Sequence, residues 1–117
     1  MASIRSFEEL KIWQKSQDLA VVIYQQFAEL KDFGFKDQIQ RAAVSMSNNI
    51  AEGFDRNTNK EFARFLYIAK ASTAEVKSML YLGERLNYLD ATVSTQLREE
   101  SDEVSKMIRG LIKSISQ

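Results

Sequence analysis

The chain contains no proline, and only four of its 117 residues are glycine. Tight turns and hairpins draw heavily on those two residues, so a fold with many turns has little to build them from. Long helices joined by a few short connections are what such a sequence favours.

The apolar spacing predicts an all-α fold of four helices, over about 7–31, 36–52, 59–87 and 92–115. In the first, Ser6 and Glu9 make an S-x-x-E capping box, each side chain expected on the other's free backbone N–H. Phe7, Leu10, Trp13, Ala20, Tyr24 and Phe27 then recur near heptad spacing, with Ile23 and Leu30 beside them. Asp32-Phe33-Gly34-Phe35 breaks that pattern at its glycine. In the second, Ile39, Ala42, Ala43, Met46 and Ile50 share a face, and Gly53 is the expected left-handed residue after its end. The third opens with another capping box, Thr58 with Glu61. The fourth follows the short Tyr88-Leu89-Asp90 connection, with Val93, Leu97, Val104, Ile108, Leu111 and Ile115 as its stripe. Its acids lie toward the start and Lys106, Arg109 and Lys113 toward the end, as the helix dipole favours. Short connections imply antiparallel neighbours, hence a single domain over 1–117 with up-down-up-down four-helix topology.

The third segment has more apolar surface than one core needs. Phe62, Phe65, Leu66, Ala69, Val76, Leu80 and Gly83 form one stripe, and Ile68, Ala71, Met79, Leu82 and Leu86 widen it to roughly 200°. Either this is the most buried helix of the bundle, or part of the arc meets another copy of the chain. Polar residues interrupt the arc at Glu61, Arg64, Ser72 and Glu75, and Arg41, Ser45, Asn49 and Glu52 run beside the second segment's apolar face. Two readings fit: a hydrogen-bonded network between helices or protomers, or two solvated edges. In a dry network Arg41 is expected on Glu75 or Glu61, because buried charge is costly unpaired.

Histidine and cysteine are both absent, which removes His-dependent triads, thiolate nucleophiles, the usual zinc sites and haem ligation by His. Glu52, Glu61 and Glu75 remain as a carboxylate-only option for Mg²⁺ or Mn²⁺, but Arg41 and Arg64 nearby favour ion pairing. There is no P-loop and no G-x-G-x-x-G, so no enzyme, metal or cofactor is expected. Met1-Ala2-Ser3-Ile4-Arg5 lacks the apolar region of a secretory signal, and no apolar run approaches the ~20 residues of a membrane span. A reducing, cytoplasmic setting fits the lack of cysteine. Sixteen basic residues balance sixteen acidic ones, so nucleic-acid binding requires a local patch. Arg56, Lys60 and Arg64, interleaved with Asn57 and Asn59, form the candidate nucleic-acid or anion patch, with Tyr67 close enough to stack a base. The competing reading is a solvated face balanced by Glu52, Asp55 and Glu61.

Three blocks of the chain, in order, resemble the 23S rRNA intervening-sequence protein family over nearly its whole length. They are Phe7-Glu8-Glu9-Leu10-Lys11-Ile12-Trp13-Gln14-Lys15; Arg41-Ala42-Ala43-Val44-Ser45 with Asn49-Ile50-Ala51-Glu52-Gly53; and Phe65-Leu66-Tyr67-Ile68-Ala69 with Ser72 and Glu75. The resemblance implies a homo-oligomeric bundle, a pentameric ring, with no catalytic residues and an RNA- or ribonucleoprotein-associated role. A similar bundle serves diversity-generating retroelements as an accessory protein that binds a reverse transcriptase and nucleic acid. That protein is strongly basic, whereas the net charge here is zero. Ala71 stands where the family usually has Gly, and Ser47-Asn48 where Pro often appears. The expectation is a non-catalytic, self-associating adaptor; the alternative is a protein-binding scaffold without nucleic-acid contact.

Overall fold

The computed structural model describes residues 4–116; Met1-Ala2-Ser3, read above for a secretory signal, and Gln117 lie outside the described residues. A single 3-10 turn, Phe7–Glu9, precedes α1 (Lys11–Gln26), α2 (Phe33–Phe54), α3 (Asn59–Arg85) and α4 (Ala91–Ile115). Among the described residues there is no strand. Contacts join α1 to α2, α2 to α3, α3 to α4 and α4 back to α1, while the diagonal pairs stay apart. The result is a rod of 45 × 21 × 20 Å, one helix long and two helices across.

The directions of the helices follow from which residues meet. Ser94 of α4 donates to the Leu80 carbonyl of α3, and Ser101 donates to that of Thr73. The chain therefore ascends α4 while its partners descend α3. Ser45 of α2 meets Ser72, whereas Gly53 lies against Phe62 and Phe65 and Phe35 lies against Gly83. Those pairs also run in opposite order. Gln17 with Ser47 and Phe27 with Phe35 give the same sense to α1 and α2.

All four helices contribute to the axis. Ile23, Ile39, Met46, Ile50, Leu66, Leu80 and Ile108 are sealed there. Each such side chain contributes about 1.5–3 kcal/mol through burial, before the entropy of ordering is set against it. No buried side-chain nitrogen or oxygen among the described residues lacks a hydrogen-bond partner.

Several local expectations are corrected. The Ser6–Glu9 box does not form: Ser6 makes no capping bond, and the Glu9 carboxylate reaches instead to the Arg5 N–H at 3.2 Å. The chain takes a 3-10 turn there, packing Phe7 against Trp13 at 5.3 Å, and α1 starts only at Lys11. It stops at Gln26 and not near Lys31, because Phe27 turns inward against Phe35, which in turn meets Tyr88. Those three rings close this end of the rod. Gly34 lies inside the first turn of α2, capped by the Asp32 carboxylate on the Phe35 N–H.

Gly53 is not left-handed; no glycine has a positive φ among the described residues. It is buried within α2, where an added Cβ would stand 2.7 Å from the Phe65 Cβ. Its role is close approach of α2 to α3 and not chain reversal. The left-handed position falls instead to Asn87, at φ 62° after α3. Tyr88 N–H then bonds the Gly83 carbonyl at 2.8 Å and Asn87 N–H that of Glu84 at 3.0 Å, a Schellman stop built with Asn.

Candidate interaction surfaces on the third helix

Helix α3 is flanked by α2 on one side and α4 on the other, and the residues singled out from sequence fall along those flanks. On the α2 side, the Ser72 hydroxyl donates to the Ser45 hydroxyl at 2.8 Å, and the Asn49 amide donates to the Ser45 hydroxyl at 2.9 Å. This is a small network between two helices, partly buried, and it joins three of the eight polar residues proposed for it. The other five do not enter it within one chain. Arg41 bonds Asp37 one turn earlier at 2.9 Å, with its side chain 80% exposed, and so meets neither Glu75 nor Glu61. Water and a carboxylate four residues away satisfy the guanidinium more cheaply than burial would. Glu61 pairs with Arg64 at 3.2 Å, which holds its carboxyl below the usual range and raises the Arg64 guanidinium. Glu52 and Glu75 face solvent.

The carboxylate-only metal option is overturned as well. Among the described residues no three acidic side chains come together closely enough to hold an ion. Glu52, Glu61 and Glu75 stand apart, and Glu61 is already committed to Arg64.

The wide apolar arc of α3 is divided by the structure. Met79 is buried and serves the core. Ile68 is 40% exposed, and Leu82 and Leu86 are each 45% exposed, along the side next to α2. Ala71 is exposed with them, and Glu75 is the one charged break in the row. A bundle two helices wide has no fifth element to lay over this row.

At the α2–α3 corner the Thr58 hydroxyl accepts the Glu61 N–H at 3.1 Å, so the second capping residue works as read. The Glu61 carboxylate goes to Arg64 and does not complete a box. Arg56 and Arg64 both lie over the Phe65 ring, with guanidinium carbons 4.6 and 4.7 Å from its centre. Two like charges are thus brought to one buried aromatic ring. Beside them an open recess of about 610 Å³ is bounded by Asn59, Lys60, Glu61, Arg64 and Tyr67 of α3 and by Ile115 at the end of α4. The structure therefore groups Arg56, Lys60 and Arg64 at one end of the rod.

The sequence reading missed what fastens the α4 side. Ser94 and Ser101 are fully buried and reach across to α3 backbone carbonyls. Their seven-residue spacing within the stripe of Leu97, Val104 and Ile108 was the available signal. It also missed Arg98, which lies 4.0 Å over the Tyr81 ring and pairs with Glu84 at 3.3 Å. At the far end the Tyr88 hydroxyl donates to Asp32 at 2.7 Å. That bond, ahead of the Phe35 amide, holds the Asp32 carboxyl below its ordinary range, and it raises the Tyr88 phenol.

A family model described as 23S rRNA-intervening sequence protein matches residues 8–110. The chain belongs to that family. Among solved structures it is similar to a Bacteroides thetaiotaomicron protein of unknown function from the S23 ribosomal protein family, at 28% identity and a TM-score of 0.82. That alignment covers 87% of this chain and 98% of the other. No curated protein matches. The family match takes in all of α1, α2 and α3, the two flanks described above, and most of α4. Among the described residues, no helix is long and apolar enough to cross a membrane.

Proposed function

We propose that this family member is a non-catalytic four-helix adaptor that associates with copies of itself and acts in an RNA- or ribonucleoprotein-linked process. The observation that carries self-association is the exposed row Ile68, Leu82 and Leu86 on the α2 side of α3. A second apolar strip lies beyond α2, where Val21 and Tyr24 of α1 and Val44 of α2 line a shallow groove of about 310 Å³. The two strips differ, so a contact of one with the other is head-to-tail, and such contacts close into rings when the rotation allows. The pentamer implied by family resemblance is one closure of this kind. In it, Arg41, Glu52 and Glu75, solvated in a single copy, lie at the rim of the interface and there find partners on the neighbouring copy.

The RNA half of the reading rests on the family's description and on the Arg56, Lys60 and Arg64 group. Guanidinium groups suit phosphate oxygens, and an anion seated by Arg56 and Arg64 relieves the repulsion between them. A cytoplasmic site of action goes with an rRNA-linked role. The balance of sixteen cations with sixteen acids favours the alternative, a protein-binding scaffold that touches no nucleic acid.

Titration of labelled structured RNA at ~50 and ~200 mM salt separates the two, because binding through phosphates weakens steeply as salt rises. The adaptor reading expects binding at the lower salt and a marked loss at the higher. Absence of binding at ~50 mM leaves the scaffold.

A further inference from the structure

Zero net charge conceals a segregated one. On α3, Lys60, Tyr67, Ala74 and Tyr81 follow one another at seven-residue steps, and Lys70, Lys77 and Arg85 fall within the same arc of about 100°. Contacts fix that arc on the α4 side. Lys77 reaches Asp102 of α4 at 2.9 Å, Tyr81 lies under Arg98, and Tyr67 shares its recess with Ile115. Arg109, eleven residues after Arg98, projects on the same side of α4. Six cations (Lys60, Lys70, Lys77, Arg85, Arg98 and Arg109) therefore share this face with three carboxylates: Glu84, Asp102 and, in the recess beside Lys60, Glu61. Those three are already bonded to Arg98, Lys77 and Arg64. Lys60, Lys70, Arg85 and Arg109 pair with no carboxylate among the described residues. The compensating acids lie across α4, where Asp18, Glu100 and Glu103 surround Lys15.

We propose that this α3/α4 face is a binding track for single-stranded RNA. The proposal rests on the RNA-linked reading above and names its surface and the form of nucleic acid. Lys60 to Arg85 spans about 38 Å along the helix, a path for several nucleotides. Free cations along it neutralise phosphates, and the exposed rings of Tyr67 and Tyr81 give bases a flat surface. The recess beside Tyr67 gives one base a place, with Lys60 at its rim and Glu61 there already paired with Arg64. Tyr81 already carries a guanidinium on one face, an arrangement that supports a base on the other. A strand is preferred to a duplex because stacking on tyrosine requires unpaired bases. This track uses the flank of α3 that the proposed self-association leaves open, so a ring of copies carries one track per copy.

The test is fluorescence anisotropy on the full chain with labelled ~12-nucleotide oligo(U) and oligo(A), against duplex RNA, between ~50 and ~200 mM salt. The double variant Lys70→Glu/Arg85→Glu should weaken binding and flatten the slope of log affinity on log salt by about 0.7 for each phosphate that is no longer neutralised. Tyr67→Ala should weaken it about tenfold with the slope unchanged, since stacking releases no counterion. Tyr67 and Arg85 are exposed and Lys70 is half-buried, and circular dichroism and light scattering should match the parent. Single-strand binding that neither variant alters overturns this track while leaving the RNA-linked reading intact. No RNA binding at all overturns both. Equal competition by polyglutamate identifies an acidic-protein dock and overturns the track. Duplex bound more tightly than single strand also overturns it.

Discussion

The two flanks of α3 are built from the same helix but solve different problems. Toward α2 the backbones press together: an added Cβ at Gly53 would meet the Phe65 Cβ at 2.7 Å, and one at Gly83 would meet Leu89 and Phe35 at 3.0 Å. The polar content there is a short chain of Ser45, Asn49 and Ser72, and the outer edge stays apolar with Ile68, Leu82 and Leu86. Toward α4 the seam is fastened by buried serine hydroxyls on carbonyls, and the outer edge is basic and aromatic. An apolar edge gains by being covered by protein, whereas a charged edge loses by it unless its partner is charged too. One helix thus carries an apolar edge on one flank and a basic, aromatic edge on the other.

The largest expected effect lies on the tight flank. Gly53→Ala places a methyl against a side-chain stem that cannot swing away, and should destabilise the fold by about 1–3 kcal/mol in urea unfolding. Gly110→Ala, with nothing within 4 Å, is the contrasting substitution and should stabilise by roughly 0.5–1 kcal/mol. If both changes act alike, close approach of α2 and α3 is not what holds that seam. On the other flank, Ser101→Ala removes the bond to the Thr73 carbonyl and should cost about 1 kcal/mol in the same measurement. A neutral result would mean that packing alone fastens α4. Smallest is Arg41→Met, which breaks only the exposed pair with Asp37. In the single chain it should stay within the ~0.5 kcal/mol typical of surface positions. A loss of several kcal/mol would mark Arg41 as buried in an assembly.

The stripes, four helices and the third segment's excess apolar surface were legible because burial leaves a period in the sequence. Ser45 and Ser72 were legible for the same reason, as polar steps on apolar faces. Arg41 was not, because periodicity reports which side a residue is on and not whether a local carboxylate such as Asp37 has already satisfied it. Gly53 was misread since a glycine near a helix end serves chain reversal or close approach equally well, and only the position of Phe65 decides. The third helix was expected to run to about Asn87 and ends at Arg85, but the left-handed backbone of Asn87 left no mark in the sequence pattern. Segregation of charge between the two sides of α4 vanishes in a net charge of zero.

Oligomeric mass in solution tests the arrangement most directly, by light scattering at ~100 µM on the parent chain and on Ile68→Glu/Leu82→Glu. The parent should be a closed oligomer of five copies. The variant should fall to a single copy with its helical circular dichroism intact. A parent chain that remains monomeric at that concentration contradicts it, for the apolar row on α3 would then rest against water with nothing to cover it.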